Sequence, residues 1–259
     1  EQSIIKNRNN SFFTLRGAKK GSIEQPIILQ DEVGYLGFIG KRINSILHFL
    51  MQAKIEPGNI NKVQISPTIQ ATKSNFTQKH GGRAPHYLDY FKNVSQYEVI
   101  YDGEEPEQCS RFFRKYNRNV IIVVNDDIDV PILPHFRWMT IAQIKRIASN
   151  YDNLVNMDTR TVLSCIPYDK VDSKIEGMDD NLSGSIFGED KSSMLADAFA
   201  EKAKQEPQAS LIRLDELKEW SLMPTGIFCH HPYPFCFKYY DIAIDGREVT
   251  HWMQPLAVA

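Results

Sequence analysis

Short runs of apolar residues with strand-like spacing fill the first half of the sequence and constrain the fold most strongly. They occur at 32–39, 45–55, 62–70, 97–101 and 119–125. Alternating or near-continuous apolar residues over such lengths are typical of buried strands. The residues EPGN at 56–59 have the composition of a turn between two of these runs, because Pro, Gly and Asn favour turn conformations. We therefore predict a meander of short strands over 12–124.

Helical spacing is confined to a few short segments. The segment 85–91 begins with a proline, which is tolerated in a first helical turn, and places three apolar side chains on one face. Thr140 can cap a second helix, 141–149, whose isoleucines recur at helical spacing and should pack on the sheet. Further helices are predicted at 193–205 and 214–220, and two late strands at 235–244 and 248–258.

An internal similarity links the two ends of the chain. An FF pair is followed by IEQPIIL at 23–29, and a YY pair near the other end is followed by WMQPLAV at 252–258. The two Gln-Pro dipeptides are 254 − 25 = 229 residues apart. Such a match at both ends indicates an internal duplication whose second copy begins near the C-terminus.

The segment 169–192 separates the two copies. It is rich in Asp, Ser, Gly and Lys and has few large apolar residues, which is typical of an exposed linker. We predict a first copy at 10–168, a polar linker with a connecting helix at 169–210, and the beginning of an incomplete second copy at 211–259. We expect the chain to be a fragment of a longer two-copy protein, or its tail to dock on the first copy or on a neighbouring subunit.

The charge balance and the cysteines exclude several classes of protein. Thirty Lys and Arg residues face 32 Asp and Glu residues, a net charge of −2, so no overall charge attracts the chain to nucleic acid or to an anionic membrane. The longest aliphatic run, 120–124, is far shorter than the roughly 20 residues that span a bilayer. The first residues lack a secretory signal. The four cysteines form no CxxC pair, so we expect free thiols and a cytoplasmic location.

The most specific signal is a family resemblance carried by four stretches. They are EVGYLGFIGKRINSILHFLMQAKIEPGNINKVQISPTIQATKSNFTQKHGGRAPHYLDYF (32–91), EQCSRFFRKYNRNVIIVV (107–124), FRWMTIAQIKRI (136–147) and NLVNMDTRTVLSCIP (153–167). Together they resemble the NDP-hexose 2,3-dehydratases of deoxysugar biosynthesis. The resemblance implies an α/β (α+β) fold of Nudix type, a sandwich of mixed sheets flanked by helices. It also implies two tandem copies, of which REVTHWMQPL (247–256) would open the second, and a homodimer.

The resemblance also implies a reaction, that of a hydro-lyase. The substrate would be a dTDP-4-keto-6-deoxyhexose, from which a base removes the C3 proton before the C2 hydroxyl departs as water. The C4 ketone acidifies the C3 proton, and hydrogen-bond donors can hold the enolate. The product would be a 3,4-diketo-2,6-dideoxy sugar nucleotide. Such an enzyme needs a base, an acid, donors for the C4 oxygen and cations for the diphosphate, but no redox cofactor.

Cations for the diphosphate are the easiest residues to nominate. Arg83 follows two glycines, which allow backbone and guanidinium to approach a phosphate closely. The segment RFFRKYNRN supplies Arg111, Arg114, Lys115 and Arg118. The alternative interpretation of that segment is a strand with a solvated charged face. Arg160 is either a ligand or the buried partner of Asp158.

Acid, base and hydrogen-bonding candidates lie in the same matching stretches. The predicted catalytic residues are Glu107, His86 and Tyr116, since a carboxylate or imidazole in a dry pocket can titrate near neutrality. The predicted substrate-binding residues are Gln70, Asn75, His80, Arg83, Tyr87, Arg114, Asn117, Arg118, Trp138 and Arg160. Each has a structural alternative, namely a surface loop for the histidines, a turn for the asparagines and core packing for the aromatic residues. His48 and Met51 are expected in the core.

Two rival functions have to be weighed against the dehydratase. Nudix hydrolases hold a metal through the spacing GX5EX7REXXEEXG, but the only Arg-Glu pair here, at 247–248, is followed by VTHW and lacks the later glutamates. Metal-dependent hydrolysis is therefore not expected, and no metal ligands are predicted. The second rival is a catalytically silent module that binds a nucleotide sugar, or a fragment of a two-repeat enzyme.

Overall fold

The structure is a computed structural model that describes residues 5–6, 13–56, 58–77, 84–167, 185, 192–244 and 247–257. It contains two compact units. Unit 1 consists of Glu1–Asp31, Glu107–Lys115 and Asp190–Ala259, and unit 2 of Glu32–Pro106 and Tyr116–Glu189. These units do not coincide with the ranges expected from the sequence, because the N-terminal strands share a unit with the C-terminal ones. The assignment of two tandem copies stays a prediction.

The described secondary structure is mostly strand. The strands are β1 (Ile5–Lys6), β2 (Thr14–Lys20), β3 (Ile23–Leu29), β4 (Tyr35–Ile43), β5 (Ile46–Ile55), β6 (Val63–Ser66), β7 (Ile69–Ala71), β8 (Glu98–Pro106), β9 (Tyr116–Val124), β10 (Phe136–Thr140), β11 (Ser210–Ile212), β12 (Trp220–Met223), β13 (Gly226–Cys229), β14 (Phe235–Ile244) and β15 (Arg247–Ala257). The helices are α1 (Lys73–Phe76), α2 (Leu88–Lys92), α3 (Ile141–Asn150), α4 (Met157–Ser164) and α5 (Ser192–Gln205), with 3-10 turns at Val94–Gln96 and Leu214–Glu216. No helix in these described stretches combines the length and apolar character that a membrane span requires.

Unit 2 is built on a seven-stranded mixed sheet. Its main path is β10–β5–β4–β9–β8, with β6 paired to β5 and β7 paired to β4. β4 and β9 are parallel, whereas the other pairs are antiparallel. Neighbouring side chains on a strand point to opposite faces, so the apolar runs of β4 and β9 supply two separate cores. Helix α2 covers one face and helices α3 and α4 cover the other. The predicted α/β fold, a mixed sheet flanked by helices, is therefore confirmed for this unit.

The α2 face is closely packed through a glycine. Leu88 and Phe91 of α2 are buried against Ile39 and neighbouring sheet residues. A Cβ atom at Gly37 would lie 2.3 Å from the Phe91 ring, so only glycine permits this approach. The predicted helix at 85–91 is present but begins at Leu88, because Tyr87 adopts a left-handed conformation with φ of 62°.

Local capping signals fix the two helices on the other face. The Thr140 hydroxyl accepts from the backbone NH of Gln143 and the Gln143 side chain accepts from that of Thr140, which completes the predicted cap of α3. Asn156 caps α4 through its side-chain oxygen, which accepts from the backbone NH of Thr159. The predicted strand at 62–70 is divided into β6 and β7, because Pro67 has no amide hydrogen for a ladder.

Unit 1 contains two smaller sheets. One has the path β1–β2–β11 with β3 on β2, and the other has the order β12–β13–β14–β15. The strands predicted at 235–244 and 248–258 are present as the antiparallel pair β14–β15. The helix predicted at 214–220 is wrong, since a single 3-10 turn ends at Glu216 and β12 begins at Trp220. The predicted linker at 169–192 lies almost wholly outside the described residues.

Candidate active site

A cluster of aromatic rings lies on the α2 face of unit 2. The Tyr87 ring contacts Phe136 and Tyr90 at centroid distances of 4.9 and 6.3 Å, and Tyr90 stacks on Tyr97 at 5.6 Å. We call Tyr87, Tyr90, Tyr97 and Phe136 the ring cluster. Phe136 is fully buried and the three tyrosines are half-buried. The cluster therefore lies between the apolar core, to which Phe136 belongs, and the protein surface at the first residues of α2.

Tyr87 joins two loops on this face. Its hydroxyl donates to the carbonyl of Pro131 at 2.7 Å and accepts from the NH of Leu133 at 3.4 Å. Burial raises the pKa of Tyr87, with the Leu133 hydrogen bond opposing it, so the hydroxyl is neutral at physiological pH. Tyr87 was predicted to bind substrate, and these hydrogen bonds give its side chain a structural role.

Two exposed histidines lie beside the ring cluster. The rings of His86 and His135 are 5.9 Å apart between centroids and meet edge to face. Phe136 contacts both, at 6.4 Å from His86 and 4.6 Å from His135. His86 was predicted from the sequence, but His135 was missed because no spacing pattern connects two loops so far apart along the chain.

The described chain is interrupted between Thr77 and Ala84. On one side, Phe76 of α1 packs on Tyr35 at 5.3 Å between ring centroids. On the other side, the chain resumes two residues before His86. The predicted binding residues His80 and Arg83 lie outside the described residues. Asn75, also predicted, is exposed on α1.

Arg118 is on the same face but is paired within the protein. Its guanidinium donates to both carboxylate oxygens of Asp102, at 2.7 and 2.5 Å, and lies 5.6 Å from the centroid of the Tyr35 ring. The Asp102 hydrogen bonds raise the pKa of Arg118, so the guanidinium stays charged. The pair is about one-third exposed. A phosphate would have to compete with Asp102 for this cation.

Two predicted binding amides lie instead on the face covered by α3 and α4. The Asn117 side chain is 8 % exposed, and its oxygen accepts from the NH of Gly34 at 3.2 Å. Gln70 donates to Glu56 at 3.3 Å and accepts from Asn156 at 3.1 Å. Both amides therefore hold backbone and helix in place on the side of the sheet opposite to the ring cluster.

The cations of the segment RFFRKYNRN do not form one cluster. Arg111, Arg114 and Lys115 belong to unit 1, whereas Arg118 belongs to unit 2. Arg111 lies 3.8 Å above the centroid of the Phe235 ring, where burial lowers its pKa, and the exposed Arg114 bonds to the side chain of Gln208. The alternative interpretation of this segment, a strand with a solvated charged face, is wrong for Arg111, Arg114 and Lys115, because β9 begins only at Tyr116.

The remaining candidates are spread over both units. Glu107 is half-buried in unit 1, and its NH donates to the carbonyl of Lys115 at 2.9 Å. Tyr116 is 40 % exposed at the start of β9, and Trp138 on β10 packs against the α2-face core. Arg160 is exposed on α4, so of its two alternatives the buried pair with Asp158 is wrong, and the role of ligand stays a prediction.

The expected core positions are confirmed in part. Met51 is 2 % exposed and lies in the core. His48 is half-buried, and its Nδ1 lies 2.8 Å from the carbonyl oxygen of Ile46. The structure thus places His86, Tyr87 and Trp138 on the α2 face, together with Arg118, which is paired with Asp102.

Comparison with known proteins identifies relatives of one activity. The chain is 39 % identical to a protein of Saccharopolyspora spinosa, 38 % to one of Amycolatopsis orientalis and 35 % to one of Streptomyces violaceoruber. Each relative is named dTDP-4-dehydro-6-deoxy-alpha-D-glucopyranose 2,3-dehydratase. The matches cover 95, 90 and 97 % of this chain but 53, 46 and 58 % of the relatives. The chain therefore spans about half the length of the curated relatives it matches.

A solved structure and a family model also match this chain. A solved Ap4A hydrolase of C. elegans is 13 % identical, with a TM-score of 0.30, and the match covers 53 % of this chain and 94 % of that one. The family model for NDP-hexose 2,3-dehydratase matches residues 1–166. That match spans more than half of the sequence, and it includes β4 to β10 and the ring cluster. The chain therefore belongs to the NDP-hexose 2,3-dehydratase family.

Proposed function

We propose that this chain is a hydro-lyase acting on a dTDP-4-dehydro-6-deoxyhexose. It removes the C3 proton, eliminates the C2 hydroxyl as water and yields a 3,4-diketo-2,6-dideoxy sugar nucleotide for deoxysugar biosynthesis. The observation that carries the proposal is the family match over residues 1–166, supported by three relatives that share one activity in their names.

The α2 face of unit 2 is the side of the sheet that we propose for the substrate. It combines the exposed imidazole of His86, the rings of Tyr87 and Trp138, and the two ends of the segment that carries His80 and Arg83. An imidazole is a suitable acid or base near neutral pH. Arg83, after its two glycines, is the proposed ligand of the diphosphate.

The elimination of water requires positioned proton donors and acceptors from the protein. The C4 ketone makes the C3 proton acidic, so a weak base suffices if the enolate oxygen is held by donors. The hydroxyl at C2 leaves only when it receives a proton. A base and an acid placed on one side of the sugar can therefore complete the elimination.

We further propose dTDP as the nucleotide, a homodimer as the assembly and the cytoplasm as the location. The names of the relatives support the nucleotide. The four cysteines, which all lie among the described residues, are free thiols, which is the usual state in a reducing compartment.

The reaction can be followed atom by atom. The protein is incubated with dTDP-4-dehydro-6-deoxyglucose in heavy water, and C2 and C3 are observed by NMR. We expect solvent deuterium to enter at C3 and the C2 hydroxyl to be lost, while the UDP analogue binds more weakly. Tight dTDP binding without either change would contradict the enzymatic proposal and favour the silent binding module.

A further inference from the structure

His86 and His135 form a pair of imidazoles at the edge of the ring cluster. Both are exposed, their ring centroids are 5.9 Å apart, and the ring of the buried Phe136 contacts both. Among the described residues, neither side chain has a hydrogen-bond or ion-pair partner. The ring nitrogens can therefore meet a molecule that binds on this surface.

The backbone of each histidine is held by its neighbours. Tyr87 follows His86 in a left-handed conformation, and its hydroxyl bonds to Pro131 and Leu133 on the loop that leads to His135. The carbonyl of His135 accepts from the NH of Ala53 at 2.8 Å. A left-handed backbone is unfavourable for tyrosine. The hydrogen bonds of the Tyr87 hydroxyl to Pro131 and Leu133 offset this cost, and they hold the loop of His135 beside His86.

Two imidazoles at this distance divide the roles of acid and base between them. An imidazole nitrogen can accept or donate a proton, so two such rings side by side offer a base and an acid to one bound molecule. The other titratable side chains beside the pair are engaged by backbone carbonyls, Tyr87 through Pro131 and Arg137 through Pro134 and Phe136. One ring can accept a proton while the other donates one.

We infer that His135 is the general acid of the elimination and acts with His86 as the base. This inference rests on the proposed function. Neutral His86 takes the C3 proton, and the electrons of the C3–H bond form the enolate with the C4 oxygen. The enolate then forms the C2–C3 double bond as the C2–O bond breaks, and protonated His135 gives its proton to the departing hydroxyl, which leaves as water.

The pair returns to its starting state without an outside reactant. After one turnover the proton has moved from His135 to His86, so the total on the pair is unchanged. A ring separation of 5.9 Å allows a water molecule to carry the proton back. The adjacency of the two histidines thus serves both the elimination and the reset.

Glutamine variants separate the two steps, since a glutamine side chain can form hydrogen bonds but does not act as a general acid or base near neutral pH. His135→Gln and His86→Gln are introduced into the full-length protein, with His230→Gln, an exposed histidine of unit 1, as the matched control. Deuterium entry at C3 and release of water are measured separately. Circular dichroism and dTDP affinity, expected within about twofold of wild type, establish that each variant folds and binds.

We expect His86→Gln to lose both partial reactions and His135→Gln to lose only the release of water, by roughly 100-fold or more. His230→Gln keeps both. Release of water at the wild-type rate by His135→Gln, or loss of C3 exchange in that variant, overturns the assignment. The wild-type protein tests the proposed function separately. If it exchanges the C3 proton and releases water, the proposed function stands whatever the variants show. If it does neither, both proposals are overturned.

Discussion

Replacing Asn156 by alanine tests how the sheet of unit 2 holds helix α4. The Asn156 side chain is 6 % exposed and makes three hydrogen bonds. Its oxygen accepts from the NH of Thr159 at 2.8 Å, and its nitrogen donates to Ser66 at 2.9 Å and to Gln70 at 3.1 Å. One side chain therefore connects the first turn of α4 to the strands β6 and β7.

The magnitude follows from these three bonds. Loss of an asparagine cap costs about 1 kcal/mol. Each of the two bonds to Ser66 and Gln70 contributes about 1 kcal/mol, and the accepting oxygens of both residues lose their donor. We therefore expect Asn156→Ala to lower the free energy of unfolding by about 3 kcal/mol.

Urea unfolding followed by tryptophan fluorescence measures this loss. Asn156→Asp is the matched control, since it keeps the cap acceptor but cannot donate to Ser66 or Gln70, and should lose about 2 kcal/mol. In a double-mutant cycle, Asn156→Ala should cost less in the Ser66→Ala background. A loss below about 0.5 kcal/mol for Asn156→Ala would refute the reasoning, because the three bonds would then contribute nothing net.

Three further predictions concern packing, phosphate binding and ionisation. Gly37→Ala should lower the free energy of unfolding by about 1–3 kcal/mol, since the new methyl would meet the Phe91 ring, while Gly58→Ala, with open space around it, should change it by less than about 0.5 kcal/mol; equal losses in urea unfolding would contradict this. Arg83→Ala should weaken dTDP binding about tenfold by calorimetry, and unchanged affinity would exclude Arg83 as the diphosphate ligand. The hydrogen bond that Tyr101 donates to Glu105 is the main reason its pKa is raised. Its protonated form is thus favoured by folding, a stabilisation present below the unfolded pKa of about 10 and lost as pH rises through the folded value. Tyr101→Phe should leave the phenolate absorbance that develops near about pH 10 unchanged, and a decrease equal to one tyrosine would contradict it.

Sequence patterns predicted helices and strands correctly where the stabilising contacts are between residues close together in the sequence. The capping of α3 by Thr140 depends on residues three positions apart, and the two strands at 235–244 and 248–258 depend on their own apolar spacing. The same reasoning failed at 214–220, where apolar residues at helical spacing form a 3-10 turn and the start of a strand. Trp220 pairs with Cys229 across β12 and β13, a contact that no local pattern contains.

The candidate site shows the same division. The sequence nominated His86 and Tyr87 as candidates, because they lie in a stretch with a family resemblance and a chemical rationale. It could not pair His86 with His135, nor assign Gln70 and Asn117 to the opposite side of the sheet from Trp138. The face that a side chain occupies depends on strand register, and a shift by one residue reverses it.

By itself, the sequence determined the family, the α/β class, most of the strands and the residue types available for an elimination. These follow from composition, spacing and resemblance, which are properties of the linear sequence. Only the tertiary structure decided which of those residues meet. The N-terminal strands share a unit with the C-terminal region, and the loop before β10 delivers His135 to His86, because hydrogen bonds and packing between distant segments, rather than neighbours in sequence, set these distances.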